Sequence, residues 1–212
     1  MKSPFAERER GRLIEAVLPE VAFDGWSYRA LRAAARRVGI PAAEAVALFP
    51  RGGGDLVAEF SRWADGRMLE RLEGAVLDEL SLSARIALAL RLRFEVLAPW
   101  REAVRRGVSV LGLPYNAPLG LRLLYDTVDG IWYAVGDVAT DFSFYTKRAT
   151  LAGICAAATL YWLEDRSDGF AETRAIIDRR LADLRRFTGW RERLETAAAR
   201  LPNPLRVLRP SR

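Results

Sequence analysis

Three aspartates, Asp129, Asp137 and Asp141, come closest to a catalytic set in residue type and spacing. Asp137 and Asp141 are four residues apart and would be neighbours on a helix, so a carboxylate-dependent enzyme is one hypothesis. The sequence contains no histidine, which excludes Ser-His-Asp and Cys-His catalysis, histidine-ligated zinc and the Glu-x-x-His di-iron motif. Because catalytic acids need a cleft and exposed acidic rims are commoner, the pattern favours a non-enzymatic protein without metal.

The apolar segment 149–163 contains no charged residue and includes the single cysteine, Cys155. As a helix it would reach roughly 22 Å, short of the ~30 Å hydrocarbon core of a bilayer, so we expect no membrane span. Apolar residues lie on both sides of this helix. It must therefore be covered on all sides by its own domain, by a second subunit or by an apolar ligand. The sequence does not say which stripe faces a cavity and which a dimer partner. Small residues that permit close helix approach are Ala149, Ala152, Gly153, Ala156 and Ala157, and candidates to line a cavity are Leu151, Ile154, Ala158 and Trp162.

Helical periodicity runs through almost the whole chain, and no stretch alternates with a period of two, so the sequence predicts an all-α fold. Glycines and prolines divide it into about ten helices. The predicted bounds are 5–18, 27–38, 41–48, 55–78, 83–97, 99–110, 117–140, 142–164, 169–187 and 190–200. We expect a small module over 1–50, a larger helical body for ligand binding and dimerisation over 51–188, and a basic tail over 189–212.

The first module has the outline of a helix-turn-helix, with Ser27 as N-cap, SYRALRAAARRVG as its first helix and a turn at Gly39. This spacing, followed by GGGDLVAEF, resembles the N-terminal domain of the TetR family of repressors. The second helix is the one that reads bases in such proteins, yet here only Glu44 carries a side chain able to hydrogen-bond, and it would repel phosphate. We therefore expect a retained scaffold without sequence-specific DNA binding.

The helix predicted over 117–140 has two contrasting sides. One is an ordinary core face that we also expect to adjoin an apolar ligand: Leu124, Val128, Ile131 and Val135. The other carries Trp132 and Tyr133 beside Asp129, and Gly136 would leave a notch next to the tryptophan. Exposed aromatic side chains with an acidic rim are typical of protein-binding hot spots, so we predict a partner site centred on Trp132. The alternative is that both aromatic residues belong to a wide core.

Residues 113–152 carry many spaced matches to one known family. The matching residues are Leu113, Pro114, Asn116, Asp129, Trp132, Tyr133, Gly136, Asp137, Thr140, Asp141, Phe142, Tyr145, Thr146, Arg148, Leu151 and Ala152. Together they resemble the signature of the ubiquinone-biosynthesis accessory family, the ninth of the Coq proteins. The later stretch DGFAETRAIIDRRLAD is similar to that family's next helix, and the resemblance covers nearly the whole chain.

The resemblance implies a TetR-like homodimer that binds an isoprenoid lipid and supports the di-iron hydroxylase acting late in ubiquinone synthesis. It also implies that the hydroxylase-binding patch lies at Leu113, Pro114, Asn116, Asp129, Trp132 and Tyr133, to which the notch adds Gly136. We expect a non-enzymatic accessory protein that presents an isoprenoid quinone precursor to demethoxyubiquinone hydroxylase, with no cofactor besides bound lipid. The alternative is a TetR-type repressor with an apolar effector.

The charge distribution bears on location. The net charge is +6, and eleven arginines from Arg174 onward stand against four acids, Asp178, Asp183, Glu192 and Glu195. We expect this end to be attracted to an anionic membrane surface, although Pro202 and Pro204 stop the terminal amphipathic helix that the resemblance implies. The first residues, MKSPFAERERGR, alternate in charge and precede no long apolar stretch. They predict a cytoplasmic protein at the inner face of a bacterial membrane.

Overall fold

The computed structural model describes residues 4–136 and 142–183, and every regular element within these ranges is helical. The helices are α1 (Pro4–Asp24), α2 (Tyr28–Arg37), α3 (Ala42–Leu48), α4 (Gly53–Glu73), α5 (Leu82–Leu97), α6 (Arg101–Leu111), α7 (Ala117–Ala134), α8 (Phe142–Glu164) and a last helical segment, α9, over 171–183. The all-α prediction is confirmed, with these nine helices against about ten predicted. The predicted helix 190–200 and the basic tail lie outside the described residues.

Helix α1 continues through Pro19, where the sequence predicts its end. A proline in a helix interior costs about 3 kcal/mol because it removes one backbone hydrogen bond and crowds the preceding turn. Residues on both sides of it, among them Leu13, Val17 and Val21, are completely buried. Packing of this apolar face therefore keeps the helix intact as far as Asp24.

The predicted helix-turn-helix is present as α2 and α3. The Ser27 hydroxyl accepts a hydrogen bond from the Ala30 amide at 3.2 Å, as expected of an N-cap. The pair is fixed to the rest of the molecule by Trp26, whose indole nitrogen donates to the Ala103 carbonyl oxygen on α6 at 2.9 Å. Buried residues of α1 to α3 and of the later helices form one continuous apolar core.

Helix α4 begins within the glycine run, two residues earlier than predicted. Within this run, position 53 requires glycine, because a Cβ atom there would lie 2.6 Å from the Trp26 carbonyl oxygen. Only glycine allows α4 to approach the backbone before α2 so closely. From this start α4 packs against α1, α5, α6 and α7 and forms the centre of the fold.

Helix α7 ends at Ala134, six residues before its predicted end. Gly136 has φ = +86°, a left-handed conformation typical of the glycine that terminates a helix. The prediction of a notch beside Trp132 is therefore wrong, because Gly136 lies beyond the end of the helix, in the turn that follows it. The bounds of α8 agree with the prediction, and no helix within 4–136 or 142–183 is long and apolar enough to cross a bilayer.

Candidate functional site

A cavity with a volume of about 510 Å³ lies between α4, α5, α6, α7 and α8. Its walls are mainly apolar, and small residues face it from three of the helices. The residues from α6 and α7 include Val104, Gly107, Val108, Leu111, Ala117, Gly120, Leu121, Leu123 and Leu124, and those from α8 are Cys155, Ala156, Thr159 and Leu160. A cavity of this size and character is typical of sites for small apolar ligands.

Burial distinguishes a closed end of the cavity from an open rim. Leu121 and Leu160 line the cavity yet are 70% and 58% exposed, so the rim lies between the start of α7 and the second half of α8. Leu97, Thr127 and Cys155 are buried and line the closed end. The cavity therefore opens to solvent through an apolar mouth.

A largely buried ion pair lies at the closed end. Arg93 Nε donates to Asp65 Oδ1 at 2.8 Å, and the Thr127 hydroxyl donates to Asp65 Oδ2 at the same distance. Burial disfavours the charged form of Arg93, but the Asp65 carboxylate outweighs this effect and raises the pKa of the guanidinium. Burial also raises the pKa of the Cys155 thiol, which keeps that wall of the cavity uncharged.

Seven of the eight predicted lipid-contacting residues lie in the packed core, and only Leu124 lines the cavity. The seven are Val128, Ile131, Val135, Leu151, Ile154, Ala158 and Trp162. Helix α8 turns a different stripe, Cys155, Ala156 and Thr159, toward the cavity. Because both stripes of α8 are apolar, helical periodicity alone does not tell which of them fills space and which borders a void.

The prediction that Trp132 is an exposed partner anchor is wrong, because its side chain is only 2% exposed. The Lys147 ammonium group lies 5.6 Å from the centre of its ring. Helix α7 packs against α4 on one side and α8 on the other, so it buries two stripes rather than one. The alternative noted for Trp132, a place in a wide core, is the one that the structure supports.

The other predicted partner residues occupy two separate places. Tyr133 is 83% exposed, and Asp129 is half-buried with its carboxylate 2.6 Å from Arg148 Nε. Leu113 and Pro114 are exposed in the turn before α7, next to Asn116, whose side-chain amide donates to the Val110 carbonyl oxygen at 2.9 Å. Asn116 and Asp129 are about 20 Å apart along the helix axis at 1.5 Å per residue.

An exposed stripe connects these two places, and two of its residues, Leu121 and Tyr125, were not among the predicted partner residues. It consists of Leu121, Tyr125, Asp129 and Tyr133, spaced four residues apart along the solvent side of α7. Tyr115, in the turn before α7, is also largely exposed. The four-residue spacing is the signal that could have found this stripe, since three large hydrophobic side chains on a solvent face are unusual.

The described residues give no support to the catalytic role considered for Asp129, Asp137 and Asp141. Asp129 is engaged by Arg148, and Asp137 and Asp141 lie outside the described residues. Within the described ranges, no cluster of three or more cysteine, aspartate or glutamate side chains is arranged to hold a metal ion.

Two kinds of sequence comparison match the same family of proteins. Residues 117–188 match the COQ9 family model. Over 84% of its length, the chain is 32% identical to the mitochondrial ubiquinone biosynthesis protein COQ9 of Bos taurus and of Homo sapiens, and 33% identical to that of Rattus norvegicus. The chain spans 57% to 59% of the length of these relatives. The resemblance predicted from the sequence is confirmed.

The fold is similar to that of the TetR transcriptional regulator from Nitrosomonas europaea ATCC 19718, with a TM-score of 0.66 and 21% sequence identity. The match covers 82% of this chain and 97% of that chain. This likeness confirms the predicted TetR-like fold, and it shows the fold alone.

The predicted location at the inner face of a bacterial membrane is contradicted by the relatives, which are named as mitochondrial proteins. That prediction depends on the charge pattern of the first twelve residues. Similarity across most of the chain is the stronger evidence, so the bacterial, cytoplasmic assignment is withdrawn.

Proposed function

We propose that this relative of the COQ9 proteins acts in ubiquinone biosynthesis as a non-enzymatic, lipid-binding accessory protein. The observation that supports this most directly is the 510 Å³ apolar cavity with its exposed mouth at Leu121 and Leu160. Isoprenoid quinone precursors are almost insoluble in water, so an enzyme that modifies their heads benefits from a protein that holds their tails. We propose an isoprenoid lipid as the ligand.

Lipid binding is tested with purified full-length protein. We expect organic extracts analysed by mass spectrometry to contain an isoprenoid or other long-chain lipid near one equivalent per chain. Delipidated protein should bind decylubiquinone, and Ala156→Phe should weaken this binding at least tenfold, because Ala156 lines the cavity. Ala43→Phe is the matched control, since Ala43 is exposed on α3, away from the cavity. Protein that contains no lipid and does not bind decylubiquinone would refute the proposal.

The exposed stripe on α7 is the proposed docking surface for the di-iron hydroxylase. It joins Leu113 and Pro114, at one end of α7, to Asp129 and Tyr133 at the other, and it runs past the cavity mouth at Leu121. A partner seated on it would therefore cover the route by which a ligand leaves. Tyr133 replaces Trp132 as the aromatic anchor, because Trp132 is buried.

The docking proposal is tested by a pull-down of the hydroxylase. Tyr133→Ala should reduce binding about thirtyfold, as expected of an aromatic hot spot worth about 2 kcal/mol, and should leave the melting temperature unchanged. Phe23→Ala is the control, because Phe23 is 84% exposed at the end of α1, away from the stripe. Normal hydroxylase binding by Tyr133→Ala, together with loss of binding by Phe23→Ala, would place the interface elsewhere.

We further propose a homodimer that uses the exposed stripe of α8. Ala149, Gly153 and Ala157 are exposed on this stripe, followed by Leu160 and Tyr161. Small residues at four-residue spacing let two helices approach closely, and their burial would complete the covering that the segment 149–163 requires. Ala157→Glu should convert the dimer to a monomer in analytical ultracentrifugation at micromolar concentration, and an unchanged dimer would exclude this face.

Two proposals concern polyanionic partners. The arginine-rich end is proposed to attract anionic membranes, so sedimentation with anionic vesicles at low salt should exceed that with neutral vesicles. Specific DNA binding is not expected, because Ala42, Ala43, Glu44 and Ala47 form the exposed surface of α3. A tight, salt-tolerant footprint on DNA would favour the repressor alternative instead.

A further inference from the structure

Helix α2 carries a row of arginines that the proposed function does not use. Arg29, Arg32 and Arg36 are exposed, and at about 100° per residue they lie within about 60° of one another around the helix. The buried side of α2 lies opposite them and consists of Ala30, Leu31, Ala34 and Ala35. The three guanidinium groups are spread over about 10 Å of helix on its solvent side, and we call them the α2 arginine stripe.

The α2 arginine stripe has few acidic partners. Helix α2 contains four arginines and no acidic residue. Within the described residues, its ion pairs join Arg29 and Arg37 to acids of α1, whereas Arg32 and Arg36 form none. The Arg29 side chain remains 84% exposed despite its ion pair. The stripe is therefore a patch of positive charge that an anionic surface can neutralise.

An exposed aromatic side chain lies at one end of the α2 arginine stripe. Phe23 is 84% exposed and precedes Asp24, whose carboxylate is 3.2 Å from Arg29 Nε. A large apolar side chain in solvent gains free energy when it enters an apolar phase. Cations beside an exposed aromatic ring are typical of surfaces that lie on anionic bilayers, where the cations contact the head groups and the ring enters the interface.

Nucleic acid is the other polyanion to consider, because the first helix of a helix-turn-helix crosses the DNA backbone when the second enters the major groove. Here α3 offers no base-reading side chain except Glu44, whose charge repels phosphate. A DNA duplex also provides no apolar phase for Phe23. The combination of the stripe with Phe23 therefore favours a bilayer.

We propose that the α2 arginine stripe and Phe23 form a peripheral membrane-binding surface on the N-terminal module. The guanidinium groups contact the phosphates of anionic lipids, and the Phe23 ring enters the interface between head groups and acyl chains. This surface is separate from the arginine-rich end of the chain. It goes beyond the proposed function and requires no lipid in the cavity, so either proposal can fail while the other stands.

The test measures sedimentation of the full-length protein with vesicles of phosphatidylcholine and phosphatidylglycerol, against vesicles of phosphatidylcholine alone. Arg32→Ser/Arg36→Ser should weaken binding to the anionic vesicles about 25-fold, at about fivefold for each arginine. Arg32→Lys/Arg36→Lys keeps the charge and should retain most of the affinity. The matched control is Arg62→Ser/Arg71→Ser, which removes two exposed arginines from α4 and should weaken binding less than about threefold.

Phe23→Ala separates the apolar contribution from the electrostatic one. It should weaken vesicle binding about tenfold, and this loss should change little between about 0.05 M and 0.2 M salt, because burial of an apolar ring is not screened. The loss caused by Arg32→Ser/Arg36→Ser should shrink over the same interval. Unchanged binding by Phe23→Ala would overturn the insertion of the ring.

The membrane proposal is wrong if wild-type protein does not prefer anionic vesicles, or if Arg32→Ser/Arg36→Ser weakens binding no more than the α4 control does. Loss of binding to a random-sequence DNA duplex by that variant, with normal vesicle binding, would assign the α2 arginine stripe to nucleic acid instead. Decylubiquinone binding should equal that of the wild type in every variant, so failure of the lipid cavity would be recognised separately.

Discussion

The cavity and the aromatic corner around Trp162 lie side by side on the same two helices, yet one is open and the other is filled. On α8, Thr159 borders the cavity, whereas Trp162 is completely buried one turn later. On α5 the division falls between consecutive residues, because Arg93 borders the cavity and Phe94 packs against Trp162 with ring centres 5.3 Å apart. The two regions have the same helical backbone and differ in side-chain volume.

The difference shows what keeps the cavity open. Large rings from α5, α8 and the turn before α9 converge at the corner, where Phe170 lies 5.6 Å from Trp162 and the Arg101 guanidinium lies 5.3 Å from each of these two rings. The cavity is bordered mainly by aliphatic side chains, with small residues between them, among them Gly107, Gly120 and Ala156. At Gly107 and Gly120 a Cβ atom would lie 3.4–3.5 Å from neighbouring side chains, so these glycines let the helices approach closely and add no side-chain volume to the cavity.

We expect the largest change in stability from removing the Trp162 ring from the aromatic corner. Trp162→Ala should lower the free energy of unfolding by about 3–5 kcal/mol, because it removes a fully buried ring and leaves a cavity. Leu160→Ala, at the cavity rim, should cost less than about 1 kcal/mol, since that side chain is mostly exposed. Urea denaturation measures both values. Equal losses for the two variants would mean that the corner is no better packed than the rim.

A smaller effect is expected from Asp165, which fixes the end of α8 beside the same corner. Its carboxylate accepts from the Ser167 and Thr173 amides at 2.8 and 2.9 Å and from both hydroxyl groups. Burial opposes ionisation, but these hydrogen bonds outweigh it and lower the pKa of Asp165 from 3.8 to about 2. Asp165→Asn should cost about 2 kcal/mol at pH 7.

The pH dependence follows from the direction of this shift. Because the folded-state pKa is below the unfolded one, the ionised carboxylate stabilises the fold above about pH 4, and this contribution is lost as the pH falls toward 2. The difference between wild type and Asp165→Asn should therefore shrink over that interval in urea denaturation. Asp168→Asn is the control, since Asp168 is exposed and its replacement should change stability by less than about 0.5 kcal/mol. A constant difference from pH 7 to pH 2 would contradict this account.

The smallest expected effect has the opposite sign. Gly107→Ala places a methyl group at the cavity wall, 3.5 Å from Trp26 and Val57, which is ordinary contact. Because alanine favours a helix over glycine, we expect a gain of about 0.5–1 kcal/mol in thermal unfolding, with weaker decylubiquinone binding. Gly53→Ala should instead destabilise the protein, since its Cβ would clash with the Trp26 backbone. Loss of stability in Gly107→Ala would show that the wall is already tightly packed.

Much of the fold follows from local patterns in the sequence. The Ser27 cap and the bounds of α8 are fixed by residues within a few positions of each helix end. The predicted helix ends are wrong near Pro19 and Gly136, for opposite reasons. Tertiary burial of α1 overrides the local cost of Pro19, whereas Gly136 acts through a left-handed backbone that a helical wheel does not consider.

The site was less predictable than the fold, because the side of a helix that borders a void depends on its neighbours. Trp132 and Tyr133 are adjacent in sequence, but α8 covers the first and leaves the second in solvent. Asp65 and Arg93 are 28 residues apart and on different helices, so no spacing rule brings them together. Only the packing of α4 against α5 reveals that they meet at the end of a cavity.

With the proposed ligand, the open cavity would also link the lifetime of the protein to the supply of that ligand. A ligand that binds the folded chain and not the unfolded one raises the free energy of unfolding, by about 2.7 kcal/mol at one hundred times its dissociation constant. A difference of 1–2 kcal/mol is enough to change the steady-state abundance of a protein several-fold, because cellular proteases act on its unfolded fraction. If the proposed lipid fills these 510 Å³, the protein should turn over faster whenever that lipid is scarce. Its abundance would then report on the supply of the proposed lipid.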